Sequence, residues 1–140
     1  MKLLLVRHGE TFANDTQRWS GSQDLDITNL TENGKNQAKK LGIWFKDTQY
    51  MPTHIYVSPQ KRALDTYKLA GTHWNIKPSI VNELKETSAG NFEGHTWEEI
   101  EQLFPQEAEG FRFSRNWDVV NGAETELERR KRGKKVLNIA

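Results

Sequence analysis

The chain has 140 residues, 35% of them hydrophobic, which is enough for one domain with a modest core. Its 20 Lys and Arg residues against 19 Asp and Glu residues leave a net charge of +1, so no overall field attracts nucleic acid or a membrane surface. The absence of cysteine excludes a disulfide framework, a thiol nucleophile and a cysteine-based metal site, and it is compatible with a cytoplasmic location.

The first half of the chain combines a short apolar run with a long helical pattern. Lys2–Val6 predicts a strand buried on both faces of a parallel sheet, and its apolar run is too short for a signal peptide or a membrane span. Residues 7–29 have no periodicity and are rich in glycine and small polar residues, which predicts a loop. Thr31 can cap a helix that extends from Glu32 to about Asp47.

Two further strands and a second helix are predicted in the middle of the chain. Ile55–Val57 is a short apolar strand, and the Ser58-Pro59 pair after it predicts the start of a helix that ends near Ala70. Ser79–Asn82 predicts a third strand. Because strands alternate with helices, the pattern predicts an α/β fold with a largely parallel sheet.

The last third of the chain is predicted to be mostly helix and loop. Thr96 and Glu99 form a capping box for a short helix that Pro105 stops. Residues 106–123 are aromatic without a period, and residues 124–138 have a helical pattern. No repeat or low-complexity linker interrupts the sequence, so we expect a single domain.

Candidate functional residues follow the first two predicted strands. Ligands of parallel sheets bind in the loops that leave the carboxyl ends of strands. His8 could serve there as a base, a ligand or a nucleophile, and Gly9 allows the backbone to turn and approach a ligand. Arg7 and Arg62 provide planar guanidinium groups suited to phosphate. Spacing alone leaves open a blander interpretation, in which both arginines are surface charges and His8 is a packed interior residue.

Three blocks of residues occur in a characteristic order: Arg7-His8-Gly9-Glu10-Thr11 with Asn14, then Ser58-Pro59 with Arg62-Ala63, then Leu84-Lys85-Glu86 followed by Gly90 and Glu93-Gly94. With them the chain resembles the histidine phosphatase superfamily, in its phosphoglycerate-mutase-like branch. The resemblance implies a three-layer α/β fold with a largely parallel central sheet. It also implies hydrolysis of a small phosphorylated metabolite, without a metal or another cofactor.

The resemblance assigns a role to five residues. His8 would be the nucleophile that forms a phosphohistidine, and Glu86 would protonate the leaving oxygen and later activate water. Arg7, Arg62 and Asn14 would bind the phosphoryl oxygens and stabilise the charge of the transition state. No metal would be needed, because the arginines supply fixed positive charge.

Two alternatives concern the acid and the reaction. Glu86 could be an ordinary loop charge, and Glu83 is the second candidate for the acid, although its offset fits the family pattern less well. Mutases of the family carry Glu-Arg-His-Tyr-Gly around the acid, whereas this chain has Glu86-Thr87-Ser88-Ala89-Gly90, which is closer to the phosphatases. A phosphatase is therefore preferred, with a phosphoglycerate mutase as the alternative.

The family pattern is incomplete at the carboxyl end of the sequence. Members carry a second catalytic histidine in a Ser/Thr-His-Gly segment after a late strand, and these 140 residues contain no such segment. We therefore expect residues 1–140 to form one histidine phosphatase domain that lacks a late strand and is incomplete at its carboxyl end. We therefore expect strongly reduced activity, and a phosphoanion-binding remnant without turnover is the alternative function. We also expect that the open sheet edge allows a homodimer to form.

The remaining charged and histidine residues receive ordinary interpretations. The basic run 129–135 is expected to be a solvated helix end that complements the helix dipole, and binding of nucleic acid or acidic lipid through it is the alternative. His54, His73 and His95 stand in no metal-ligand spacing, and we expect surface or packing roles for them.

Overall fold

A computed structural model describes residues 2–139 and has helices around a small parallel sheet. The helices are α1 (Phe12–Asp15), α2 (Glu32–Asp47), α3 (Lys61–Ala70), α4 (Trp97–Leu103), α5 (Pro105–Ser114) and α6 (Glu126–Leu137), and the strands are β1 (Tyr56–Val57) and β2 (Ser79–Ile80). Four single-turn 3₁₀ helices lie between them, at Asp26–Thr28, Asn82–Leu84, Gly90–Phe92 and Trp117–Val119.

The two strands pair in parallel, as expected for an α/β fold. Tyr56 lies opposite Ser79, and Val57 lies opposite Ile80. The Val81 amide continues the ladder by donating to the Val57 carbonyl at 2.9 Å. Because α3 leaves the carboxyl end of β1, its first turn lies at the edge of the sheet where ligands of such folds bind.

The predicted first strand is not formed. Lys2–Val6 makes no backbone hydrogen bond to any other described residue, and its apolar side chains are exposed, from 45% for Leu4 to 83% for Leu5. An apolar run predicts burial only where neighbouring strands cover it, and over residues 2–139 the sheet has two strands that lie elsewhere. The strand prediction was therefore wrong, and the three-layer arrangement stays a prediction.

Helix α2 packs closely against α3. The Thr31 hydroxyl accepts a hydrogen bond from the Gly34 amide at 3.0 Å, so the predicted cap and the predicted span of α2 are confirmed. A Cβ atom at Gly42 would lie 2.9 Å from the Ala70 carbonyl oxygen, which explains why glycine stands at the contact between the two helices. Phe45, only 1% exposed, fills the core beside this contact.

Helix α3 begins later than the sequence predicts. Gln60, in an extended backbone conformation, precedes the first helical residue, Lys61. The Asp24 carboxylate accepts from the Lys61 amide at 3.0 and 3.2 Å and so caps the helix from a distant loop. The predicted start at Ser58-Pro59 was wrong, because the capping group comes from elsewhere in the chain.

Phe92, Ile100 and Phe111 are almost fully buried in a second, aromatic core, against which Trp19 of the first loop also packs. The capping box of α4 is confirmed at Thr96. Residues 106–123 show no period in the sequence, but their entire first half, residues 106–114, belongs to α5. Pro105 starts this helix at its first position, where a missing N–H costs nothing.

The last helix, α6, confirms the helical pattern predicted for residues 124–138. Thr125 caps it and forms a capping box with Glu128. Within residues 2–139 no helix is both long enough and apolar enough to cross a membrane.

Candidate active site

The loop that carries His8 is fixed between α2 and α3. The Gly9 amide donates to the Thr66 hydroxyl of α3 at 3.0 Å. On the other side, a Cβ atom at Gly9 would lie only 2.3 Å from the Gly34 carbonyl oxygen, and one at Gly34 would lie 2.0 Å from the Glu10 carbonyl oxygen. The close contact of backbone with backbone therefore requires glycine at both positions.

Hydrogen bonding selects one tautomer of the His8 imidazole. Its Nδ1 lies 2.8 Å from the carbonyl oxygen of Gly9. A carbonyl oxygen only accepts hydrogen bonds, so Nδ1 carries the hydrogen and donates it. Nε2 of the neutral ring is then left with a free lone pair, which is the state required of a nucleophile or a base.

The surroundings of His8 also favour the neutral ring. Burial lowers the pKa of His8 below its ordinary value, and the positive charges of Arg62 and Arg7 lower it further. The hydrogen bond to Gly9 and the charge of Glu86 act in the opposite direction without reversing the shift. Three of the predicted site residues therefore act electrostatically on the imidazole, which is uncharged at neutral pH.

Arg62 is a buried cation with unused hydrogen-bonding capacity. Its side chain is 1% exposed, and Nη2 donates to the Gly21 carbonyl oxygen at 3.0 Å. Nε and Nη1 are buried and have no partner among the described residues. Burial lowers the pKa of Arg62, against the nearby charge of Glu86. Unpaired buried donors are costly, so this geometry is typical of a site that an anion completes.

Arg7 lies at the start of the loop that carries His8, and Asn14 lies in α1, the short helix that follows. The Asn14 side-chain oxygen accepts from the Thr11 amide at 3.1 Å and from the Thr11 hydroxyl at 3.0 Å. These bonds fix the Asn14 amide group, whose Nδ2 donates to no group within residues 2–139 and can donate to a ligand. Arg7 is exposed beside His8 and acts on it through its charge.

The two candidate acids are in different environments. Glu86 is exposed, its amide donates to the Gln60 side-chain oxygen at 2.8 Å, and its own carboxylate accepts from the Thr87 amide at 2.9 Å. The carboxylate of Glu83 instead lies 4.0 Å from the Lys135 ammonium group of α6. Glu86, and not Glu83, contributes to the pKa of His8, so the geometry favours Glu86.

Sequence reasoning missed Gln60, which links three parts of the site. Its side chain is 4% exposed, Nε2 donates to the Gly21 carbonyl oxygen at 3.2 Å, and Oε1 accepts from the Glu86 amide. Gln60 thus connects the start of α3 both with the Glu86 loop and with the carbonyl that Arg62 binds. No local pattern announces such a residue, because its partners are distant in the sequence.

A polar cavity of about 460 Å³ opens beside Gln60. Its lining includes hydroxyl, amide and carboxylate groups and one lysine, from Ser22, Gln23, Asp24, Pro59, Gln60 and Lys85. Within residues 2–139, no group of three or more histidine or carboxylate side chains is arranged to hold a metal ion.

Comparison with known proteins extends these observations. The family model described as histidine phosphatase superfamily (branch 1) matches residues 3–140. An acid phosphatase of Mycobacterium tuberculosis (strain ATCC 25618 / H37Rv) is 34% identical over 104 residues, which cover 74% of this chain and 48% of that protein. A 2,3-bisphosphoglycerate-dependent phosphoglycerate mutase of Pelagibacter ubique (strain HTCC1062) is 34% identical over 120 residues, covering 84% and 48% respectively. The chain therefore spans about half the length of these two curated relatives.

A solved structure of a mycobacterial glucosyl-3-phosphoglycerate phosphatase in complex with VO3 is similar in fold. It superposes with a TM-score of 0.76 at 26% sequence identity, over 94% of this chain and 63% of that one. The superposition confirms the α/β fold that the sequence predicts.

Proposed function

Because this chain belongs to the histidine phosphatase superfamily (branch 1), we propose that it is a phosphomonoesterase that acts through a phosphohistidine at His8. The proposal rests on the geometry of Arg62, whose buried guanidinium group has two unpaired donors. The charge of this group acts on the neutral imidazole of His8. An oxyanion bound between the two side chains would satisfy both donors and lie within reach of the nucleophile.

In the first step, Nε2 of His8 attacks phosphorus. A P–N bond forms while the P–O bond to the organic group breaks, and the leaving oxygen takes a proton from the Glu86 carboxyl group. Arg62, Arg7 and the Asn14 amide bind the phosphoryl oxygens as their charge develops. The Nδ1 hydrogen bond to Gly9 keeps the ring oriented throughout.

In the second step, water replaces the imidazole at phosphorus. The Glu86 carboxylate accepts a proton from the attacking water, a P–O bond forms, and the P–N bond breaks. Inorganic phosphate leaves, His8 returns to its neutral tautomer, and Glu86 is again protonated for the next cycle. All atoms and protons balance without a metal ion or an external cofactor.

The substrate is proposed to be a small phosphorylated metabolite. The polar cavity beside Gln60 supports this, because hydroxyl, amide and charged groups suit a hydrophilic organic part. A mutase is the alternative, and the name of the Pelagibacter relative favours it, whereas the residues after Glu86 favour hydrolysis. Release of inorganic phosphate supports the phosphatase, and transfer of the phosphoryl group to a second metabolite supports the mutase.

The test is the formation and turnover of a phosphoenzyme. We expect p-nitrophenyl phosphate to phosphorylate the wild type, and His8→Gln to abolish both the phosphoenzyme and phosphate release. His54→Gln is the matched control, because His54 is an exposed histidine outside the site, and it should retain activity. A chelator should leave turnover unchanged.

Three outcomes of this test separate the alternatives. Activity retained in His8→Gln, or lost with chelator, contradicts the phosphohistidine mechanism. Phosphate binding that requires Arg62 but occurs without turnover indicates the phosphoanion-binding alternative.

Further properties of the chain are proposed on the same basis. We propose that residues 1–140 form one domain that acts in the cytoplasm without binding nucleic acid. We also propose that two copies associate through the exposed apolar segment Leu3–Val6. The exposure of Leu3 (67%) and Leu5 (83%) supports association, because exposed apolar segments favour pairing with another chain. Light scattering should show a dimer that the double variant Leu3→Ser/Leu5→Ser converts to a monomer.

A further inference from the structure

We propose that Arg132, on α6, is a positioning residue that holds the loop carrying Glu86 at the active site. The inference rests on the proposed function, since it assigns a task to a residue outside the phosphate site. It concerns one member of the basic run 129–135, which the sequence analysis treats as a solvated helix end.

Arg132 binds the backbone on the amino-terminal side of Glu86. Its Nη1 donates to the Glu83 carbonyl oxygen at 2.9 Å and to the Lys85 carbonyl oxygen at 2.8 Å. Because a single nitrogen binds both oxygens, the turn immediately before Glu86 has its shape fixed at two points. Hydrogen bonds from a charged donor are stronger than neutral ones, so this contact resists opening.

Glu124 orients Arg132 and binds the loop on the other side of Glu86. Its carboxylate accepts from Arg132 Nε at 2.6 Å and from Nη2 at 2.5 Å, a bidentate pair that is largely shielded from solvent. The Glu124 amide donates to the Ser88 carbonyl oxygen at 3.0 Å. The pair therefore holds residues 83–88 both before and after Glu86.

This support matters because little else orients Glu86. Its side chain is exposed and its carboxylate accepts only from the neighbouring Thr87 amide among the described residues. The Gln60 side chain, immediately before α3, holds the Glu86 amide, and Arg132 holds the preceding carbonyls from α6. With one anchor beside α3 and one on α6, the backbone of Glu86 is fixed relative to His8.

Arg130, two positions earlier on α6, does not share this geometry. Arg130 is exposed and pairs with Glu126 one turn earlier on the same helix. Arg132 donates no hydrogen bond to the Glu86 carboxylate, and it acts on the acid both through the backbone that it binds and through the attraction between the two charges. Arg130 is therefore a matched control, because it is an exposed arginine on the same helix.

The test uses two substrates that differ in their need for an acid. The glycerol alkoxide of glycerol phosphate must be protonated as it leaves, whereas the nitrophenolate of p-nitrophenyl phosphate leaves unprotonated. The comparison uses kcat/KM, which reports the steps up to departure of the alcohol and leaves out the later attack of water, in which Glu86 acts on both substrates alike. For Arg132→Ala we expect kcat/KM on glycerol phosphate to fall on the order of 10²-fold, as for a misplaced catalytic group, with little change on p-nitrophenyl phosphate. Glu86→Gln should give the same substrate pattern, the double variant should be no worse than Glu86→Gln, and Arg130→Ala should resemble the wild type.

Hydrogen exchange provides a readout that does not depend on turnover. Amides of residues 83–88 should exchange faster in Arg132→Ala, while those of α2 and α3 keep their wild-type rates. If Arg132→Ala does not fold, Glu124→Gln weakens the same bidentate pair and is subject to the same expectations.

The outcomes distinguish this inference from the proposed function. Equal losses of kcat/KM on both substrates, or unchanged exchange of residues 83–88, overturn the positioning role of Arg132 even if the wild type is an active phosphatase. A wild type without phosphoenzyme formation overturns the proposed function instead, and hydrogen exchange then still decides whether Arg132 holds the loop.

Discussion

Replacing Arg62 with methionine should weaken phosphate binding with little loss of stability of the fold. Methionine matches the aliphatic stem of arginine, has no charge and ends where Nε stands, so it removes the two unpaired donors, Nε and Nη1. Each unsatisfied buried donor costs about 1–3 kcal/mol, or about 2–6 kcal/mol for the two. The single bond that is lost, from Nη2 to the Gly21 carbonyl oxygen, contributes about 1.5–3 kcal/mol. The difference between these two ranges is a change of about −1 to +4.5 kcal/mol in the free energy of unfolding of the ligand-free fold.

Phosphate affinity should move in the opposite direction. Two charge-assisted hydrogen bonds to an oxyanion contribute about 3–6 kcal/mol together, so Arg62→Met should lower the affinity by about 10²–10⁴-fold. Because a ligand that binds only the folded state raises its stability by mass action, phosphate should raise the Tm of the wild type. The same phosphate concentration should leave the Tm of Arg62→Met unchanged.

Thermal unfolding with and without phosphate measures both effects. The control is Arg18→Met, because Arg18 forms a bidentate pair with Glu99 and donates to the Gly94 carbonyl oxygen at 2.8 Å. That variant should lose stability, since it leaves Glu99 without its cation, and it should keep the response to phosphate. A lower Tm for Arg62→Met together with an intact response to phosphate would refute the reasoning, because Arg62 would then be a structural cation.

Two further predictions concern pH and backbone contacts. Because burial lowers the pKa of His8 below 6.5, kcat/KM should fall on the acid side only below that pH. At a pH between the pKa of His8 in the folded state and its pKa in the unfolded state, the unfolded chain binds more protons, so stability should fall as the pH drops below 6.5. In denaturant titrations, His8→Ala should reduce this dependence of stability on pH. Gly34→Ala places a Cβ 2.0 Å from the Glu10 carbonyl oxygen, so it should lower the free energy of unfolding by about 1–3 kcal/mol. Gly133 lies inside α6, and a Cβ there would meet nothing within 4 Å. Gly133→Ala should therefore raise the free energy of unfolding in urea by about 0.5–1 kcal/mol. A Gly34→Ala variant as stable as the wild type would contradict the backbone prediction. The same pH dependence of stability in His8→Ala and the wild type would contradict the pH prediction.

Features that depend on neighbouring residues could be predicted from the sequence. The caps at Thr31 and Thr96 use amides within the next turn of the chain, so their patterns identified the starts of α2 and α4. Pro105 also carried a local signal for α5, but it was interpreted only as a stop for the preceding helix. A proline can end one helix and start another.

Features that depend on distant contacts could not be predicted in this way. Lys61 is capped by Asp24 from 37 positions away, so the local Ser58-Pro59 signal gave the wrong start for α3. Gln60 acquires its place in the site from Glu86, 26 positions later. The burial of Lys2–Val6 required strands that do not flank it over the described residues. The positions of His8, Arg62 and Glu86 in the motifs were predictable, whereas the groups that hold them were not.

The contact between Gly9 and Gly34 limits how this protein could be re-engineered. In both cases the atoms that a new side chain would meet belong to the backbone, at 2.3 Å from Gly9 and 2.0 Å from Gly34. A smaller neighbour introduced elsewhere cannot make room, because backbone atoms are present whatever the residue. A library designed to change substrate preference should therefore keep glycine at both positions and vary the lining of the cavity beside Gln60, for example Gln23 and Lys85.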